Sequence, residues 1–546
     1  MSTSTLVYGV EDKPKWSKLI VFAFQQVLAV LAATIAVPTI IGLPVQIPAA
    51  ILGAGVGTIC YLLFTKFKSP VVISSSFAFL GALTNALAFG YMGILLGAIF
   101  AGLVYVIIAI IVKFAGTRWI NKLMPPVIIG PTVALIGLSL AGSAMGDIVK
   151  ASADGINGGY NLLGLLCGLV TFFTVVICSV QNRFKNARLL PFIIGIGAGY
   201  LLASILSIFG YAFNLDYMKI INWDPLVSNF QNISFQSFLD YPRIALVEAI
   251  KELANGNVSE AINAASLAKN NVEAQVITPI GVAQVALAFV PVALVTFAEH
   301  IADHVNLGSI IGRDLLDEEP GLSRTLLGDG VGSIVGTLGG ICPNTTYGES
   351  VGCVAITRNA SVRTILVAAC MLVVLSFITP INKLLMTIPS CVMGGVCLTL
   401  YGFIAVSGLK MFKEVDLNDS KNLFTVAAIM IAGIGGLALK IPYAFNDATV
   451  YQTFVNSEGV KEIAFNFEVI KEAGVEKMVA TDPIVIMKAG EVTNTITITS
   501  IATALFLGVA TYAVANLIEK KFGEKKDAKA EVSAAPEAAE TETKSK

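Results

Sequence analysis

The sequence predicts an all-α polytopic membrane protein of about fourteen spans, arranged as two inverted seven-span repeats with short strands in spans 3 and 10. Three observations predict it. Mean hydropathy is +0.78 and only 13% of residues are charged, against about 25% in a typical soluble domain. Apolar runs of span length follow one another along most of the chain. The two halves also echo each other. A formal net charge of -1 gives no sign of a nucleic-acid partner, and the expected surroundings are membrane lipid.

Residues 1–17 read as a cytoplasmic N-terminus, without the short apolar region and cleavage site of a leader, and Trp16 and Lys18 read as interfacial anchors. Apolar runs follow near 18–40, 48–65, 74–89, 92–113, 124–145, 160–180, 189–211, 279–304, 325–341, 345–358, 361–380, 388–410, 421–440 and 495–517. Threading them from an inside N-terminus gathers Lys66/Lys68, Lys113/Arg118/Lys122, Arg183/Lys185/Arg188, Arg313/Arg324, Arg358/Arg363, Lys410/Lys413 and Lys520/Lys521 on one side. The opposite short loops offer little beyond Lys150 and Lys383, so both termini are expected in the cytoplasm. The polar connections 212–278 and 441–494 are expected as extracytoplasmic inserts, and 518–546 as a disordered cytoplasmic tail.

Lys68-Ser-Pro-Val-Val-Ile-Ser-Ser-Ser-Phe77 and Gly340-Ile-Cys-Pro-Asn-Thr-Thr-Tyr347-Gly-Glu349 each set a proline before a β-branched, hydroxyl-rich stretch. Pro70 and Pro343 hold matching places, as do Pro125 and Pro389, and Gly130 and Gly394. Interrupted segments at corresponding positions of two halves mark a transporter's binding site. Both are too short and too poor in helix formers to cross as helices, so they are expected as short extended strands meeting at the midplane, each beside half a helix.

The acids give that site its chemistry. Glu299 ends a long apolar run and Glu349 lies in the second interrupted segment. Ionisable groups cost about 2.5–3.5 kcal/mol each at a membrane helix centre and persist mainly where they bind a substrate or ion. Glu299 and Glu349 can accept bonds from ring N–H groups, while Phe77, Phe79 and Tyr347 offer faces for a flat ring. Uracil, xanthine and uric acid all fit that description. Asp303 lies four residues after Glu299, hence on the same helix face. Desolvation and mutual repulsion disfavour ionising both, so one shared proton is expected there, a coupling site for a proton symporter. Paired acids with backbone carbonyls would also suit sodium.

Blander roles compete for each residue. An acid at a span's end can snorkel, and aromatic side chains usually pack against lipid or protein. His300 and His304 turn away from the Glu299 face and are expected to pack. Gly328 to Gly340 is expected to mediate close helix packing. The eight cysteines show neither paired spacing nor nearby histidines, so no disulfide framework and no metal site is expected. No Walker A motif argues for an ATP-driven pump, and no nucleophile and base pair argues for an enzyme.

The stretches Gln25-Gln26 to Pro38, Ser75-Ser76-Phe77-Ala78-Phe79, Ala298-Glu299-His300, Asp314-Leu315-Leu316 with Pro320-Gly321-Leu322, and Pro343-Asn-Thr-Thr-Tyr-Gly-Glu349-Ser-Val-Gly352 carry a resemblance. They resemble the nucleobase:cation symporters, also called nucleobase-ascorbate transporters, and within them the bacterial uracil permeases. The resemblance implies a core domain (18–123 and 279–380), a gate domain (124–211 and 381–517) that usually mediates homodimerisation, and nucleobase uptake with protons and no other cofactor. It implies that Glu299 and Glu349 bind the ring, that Phe77 and Gly348 give backbone contacts, and that Tyr347 and Ala33 line the pocket. Tyr401 is the gate-side candidate.

The chain departs from the family's uracil carriers at Asp303, where they often have histidine and purine carriers often have aspartate, and at Gln26, another common histidine. The Thr-Tyr-Gly-Glu form of the second motif resembles the pyrimidine branch. The expected function is proton-coupled uracil import through the cytoplasmic (inner) membrane of a bacterium. The alternatives are a xanthine or uric acid permease of the same fold and, from another class, an anion exchanger or channel of a related fold. Such exchangers usually lack an acid at the Glu299 position.

Overall fold

In lipid every backbone N–H must find its partner within its own segment, so long apolar runs become helices. The computed structural model describes residues 6–150, 160–181, 183, 187, 190–255, 262, 267, 275, 277–442, 453–455, 461–463, 467–472, 475–480 and 495–522. Among these, nine helices are long and apolar enough to cross a membrane: Trp16–Ile40, Pro44–Phe64, Gly90–Ala115, Pro126–Ile148, Leu162–Val180, Pro191–Ala212, Pro279–Ile311, Ser390–Lys413 and Ser500–Lys521. Phe77–Leu87, Val362–Ser376 and Ser420–Ile434 are shorter apolar helices. Leu322–Gly339 and Gly348–Thr357 complete the set of helices that frame the site.

The helices pack in two groups. Ile47–Phe64 packs on Leu322–Gly339 and Val362–Ser376, and Gly90–Ala115 packs on Leu322–Gly339 and Pro279–Ile311. In the other group Ser390–Lys410 packs on Pro126–Ser139 and Leu162–Val180, with Ser420–Ile434 against Ser500–Phe522. Glycines permit the closest approach. Gly332, where a β-carbon would stand 2.9 Å from Gly57 O, and Gly53, where one would meet Gly336 O at 2.5 Å, let two helix backbones touch.

The two interrupted segments are strands. β1 (Ile73–Ser75) pairs antiparallel with β2 (Asn344–Thr346) in the register Ile73↔Thr346, Ser74↔Thr345, Ser75↔Asn344. Every residue of both strands is buried, so the neighbouring helices must saturate their edges. Thr58 Oγ1 accepts from Ile73 N (3.1 Å), Thr34 and Ser74 share a hydroxyl bond (2.8 Å), and Asn344 Nδ2 donates to Gly53 O (2.9 Å).

Both inserts differ from simple polar connections. Within 212–278 lie the helices Asp224–Gln231 and Ala245–Asn255, and the Glu252 carboxylate accepts from Met92 N at 3.0 Å. Ala245 and Ala249 are completely buried, because this helix sets its small-residue face against Gly90–Ala115.

Residues Leu439–Thr497 form a compact unit of their own, and there the all-helical expectation fails. Thr453–Val455 pairs antiparallel with Lys461–Ile463, and Phe467–Glu472 with Val475–Ala480. Val, Ile and Phe mixed with Glu and Lys favour strands over an apolar helix. The expected tail disorder lies, beyond residue 522, outside the described residues.

Candidate functional site

The site grows from the strand pair. Because β1 and β2 run antiparallel, their C-terminal ends deliver a half-helix each at opposite ends of the pair. Phe77 opens a short 3₁₀ turn that continues into Leu80–Leu87, and Gly348 opens Gly348–Thr357. A helix N-terminus carries unpaired N–H groups and a partial positive charge, so each favours an electronegative ligand atom. Glu349, half-buried, lies in the first turn of the second half-helix.

Glu299 approaches on Pro279–Ile311, a helix of 33 residues that starts at a Thr278 cap and ends at Gly312 in the left-handed conformation. The helix runs past the expected end at 304, which places Glu299 well inside it. The residue is half-buried, and its buried Oε2 has no hydrogen-bond partner. An unmet buried polar atom costs about 1–3 kcal/mol, so this oxygen is poised to accept from a bound donor. The charges of Asp303 and Glu349 both act on Glu299, which brings the three acids into one neighbourhood.

Asp303 is buried and its Oδ2 accepts from Thr346 Oγ1 at 2.9 Å. Gly348 is exposed between buried Tyr347 and half-buried Glu349, and a β-carbon there would lie 3.5 Å from Asp303 Oδ1. The start of the second half-helix therefore sits beside Asp303, with its backbone open.

The remaining candidates divide. Phe77 meets the Tyr401 ring edge-on, with centroids 5.2 Å apart. Tyr347 is buried and spends its hydroxyl on Ser75 O (2.6 Å), so its ring rather than its oxygen faces other duties. Ala33 is fully buried on Trp16–Ile40, one residue before the Thr34 that bonds β1.

Several supporting residues escaped the sequence reading. Ser350 Oγ donates to Gln26 Oε1 (3.1 Å) while accepting from Val72 N (3.1 Å), clamping the second half-helix to the residue that precedes β1. His300 has more than a packing role: its Nδ1 lies 2.7 Å from Asp329 Oδ2, both side chains fully buried. Asp329, between two glycines, carried the one available signal, an ionisable residue inside an apolar stretch.

Comparison with known proteins adds three findings. The permease family model for xanthine and uracil permeases matches residues 17–441. A protein called uracil permease from Bacillus caldolyticus is 35% identical over 442 residues, 80% of this chain and 90% of that one. Another of that name from Escherichia coli (strain K12) is 32% identical over 438 residues, 79% of this chain and 88% of the other. Among solved structures, the murine Solute Carrier 26 family member A9 anion transporter in the inward-facing state matches with a TM-score of 0.50 at 10% identity, covering 78% of this chain and 66% of its own, a likeness of fold alone.

Proposed function

The chain belongs to the xanthine/uracil permease family, and from that premise we propose that it imports uracil across the cytoplasmic membrane of a bacterium by proton symport. It is a multi-pass transporter and not an enzyme. The observation that carries the substrate reading is the unpaired, buried Oε2 of Glu299, set near Glu349 at the mouth of a half-helix. Uracil offers two ring N–H donors to the two carboxylates and carbonyl oxygens to the open amides at Gly348 and Phe77. Its flat face suits Tyr347 and Phe77, with Ala33 and Tyr401 closing the pocket. The relatives that bear the name uracil permease support the pyrimidine over a purine.

The architecture we infer has fourteen spans in two inverted repeats. A core of 18–123 with 279–380 carries the site, a gate of 124–211 with 381–517 pairs two subunits, and both termini lie in the cytoplasm. The antiparallel β1–β2 pair, drawn from matching positions of the two halves, and the two packing groups of helices support this arrangement. Transport follows from rocking of core against gate. Asp303, bonded to β2 and four residues from Glu299, shares the coupling proton with it in this reading.

Asp303 also gives a xanthine or uric acid carrier its foothold, since purine members of the family often have aspartate there. Uptake of labelled uracil into cells lacking their own permease, competed with unlabelled xanthine, thymine and uric acid, decides between them. Uracil uptake resistant to xanthine is expected; competition by xanthine alone would overturn the pyrimidine assignment.

A further inference from the structure

We infer that the buried His300–Asp329 pair is a second proton site of this carrier, loaded and unloaded by rotation of the Thr325 hydroxyl. The inference rests on the reading of the chain as a proton-coupled uracil carrier.

Thr325 Oγ1 donates to Leu322 O (3.1 Å), which uses its single proton. Its oxygen can then only accept from His300 Nε2, 3.1 Å away, so Nε2 carries a hydrogen. His300 Nδ1 faces Asp329 Oδ2 at 2.7 Å, and two lone pairs cannot share that distance. One more proton must lie between them, as imidazolium with carboxylate or as imidazole with carboxylic acid. The pair is then neutral overall, the less costly state in a buried site.

A second arrangement satisfies the same atoms with one proton fewer. If the Thr325 hydroxyl turns to donate to Nε2, the neutral ring carries its hydrogen on Nδ1 and gives it to ionised Asp329. Leu322 O keeps its place as a helix carbonyl. Both states are bonded without moving a heavy atom, and they differ by one proton, which leaves through the free side of the carboxyl group. Asp329 Oδ1 and the Tyr105 hydroxyl are buried without partners, and both residues line a small cavity with Thr296, Ser333 and Asn344. Its volume of about 10 Å³ suits a single water as relay.

The groups facing the pair favour the protonated state and make the deprotonated one the minor, higher-energy state of the cycle. Tyr105, from Gly90–Ala115, meets the His300 ring edge-on at 5.9 Å. His304 stacks on it at 4.0 Å, its Nδ1 donating to His300 O (2.8 Å) and its Nε2 bonded to the Tyr61 hydroxyl (2.9 Å) from Ile47–Phe64. Glu299 and Asp303 share the helix of His300, and Glu349 lies across from them. None of these facing groups is a lysine or arginine, so Asp329 is the counter-charge available to an imidazolium. From the strand region Asn344 and Thr345 contribute neutral atoms, and the Thr346 backbone N–H is directed at the Asp329 carboxyl group.

Proteoliposomes with an imposed pH gradient test this. Each proton carried with neutral uracil lets a gradient of about one pH unit multiply accumulation roughly tenfold, so two proton sites give about a hundredfold. Wild type should approach the hundredfold level; Asp329→Asn, left with the proton shared by Glu299 and Asp303, should fall to about tenfold while still exchanging labelled for unlabelled uracil in counterflow. Asp329→Glu, which keeps a carboxyl group, should restore accumulation, and His300→Gln should behave as Asp329→Asn and serves if that variant does not fold. Full gradient-driven accumulation by Asp329→Asn or His300→Gln would overturn the inference. A wild type that exchanges no uracil at all would instead refute the substrate reading.

Discussion

Thr346 Oγ1 donates to Asp303 Oδ2 at 2.9 Å, tying the second strand to the helix that carries Glu299. The bond fixes where the acids stand relative to the half-helix mouth. Thr346→Val keeps the shape and removes the donor, leaving a buried carboxyl oxygen unmet. Loss of a hydrogen bond to a charged group costs about 1.5–3 kcal/mol. The purified variant should melt several degrees lower and bind uracil more weakly, as read by thermal unfolding with and without ligand. An unchanged melting point would show that the strand is positioned without this bond.

The glycine contact behind the strands should tolerate no side chain. In Gly53→Ala the new methyl would meet Gly336 O at 2.5 Å and Gly340 Cα at 3.1 Å, both backbone. Overpacking of this kind costs about 1–3 kcal/mol, and here it also strains the carbonyl that holds Asn344. A lower unfolding temperature together with weaker uracil binding is expected. Gly142→Ala, with open space around it, is the matched control and should leave both unchanged.

Gln26 tests the clamp on the second half-helix. Gln26→Ala removes the acceptor for Ser350 Oγ and leaves Val72 N as that hydroxyl's remaining tie. A neutral hydrogen bond contributes about 0.5–1.5 kcal/mol, so uracil affinity should fall roughly two- to tenfold. Equilibrium binding of labelled uracil to membranes measures it. Wild-type affinity would mean that the half-helix is held by its other contacts.

How much of this was legible in the sequence varies with the kind of signal. The helices were, because runs such as 92–113 and 189–211 have no polar face to offer water. The strands were legible because Ile73-Ser-Ser75 and Asn344-Thr-Thr346 are poor helix formers following matched prolines, and they pair as expected. Asp329 was not, because its partner His300 is 29 residues away and no period of helix or strand links them. The hairpins of 439–497 were hidden for a different reason: their short strands carry too many charges to stand out beside the long apolar runs.

Gly348 offers a direct probe of the pocket mouth. It is exposed, and its missing β-carbon would meet only Asp303 Oδ1, at 3.5 Å, so a cysteine fits there. In a background with the native cysteines replaced, Gly348→Cys should react with a thiol reagent, and uracil should slow that reaction. Ser76 and Thr346, both buried, should react far more slowly when so replaced. Equal labelling of Gly348→Cys with and without uracil would place the ligand elsewhere.

The central claim is that Glu299 and Glu349 together hold the ring, and calorimetric titration of uracil into purified wild type, Glu299→Ala and Glu349→Ala tests it most directly. Each charge-assisted bond lost should weaken binding roughly 10- to 150-fold, with both variants still folded by size-exclusion chromatography. Wild-type affinity in either variant would contradict the account.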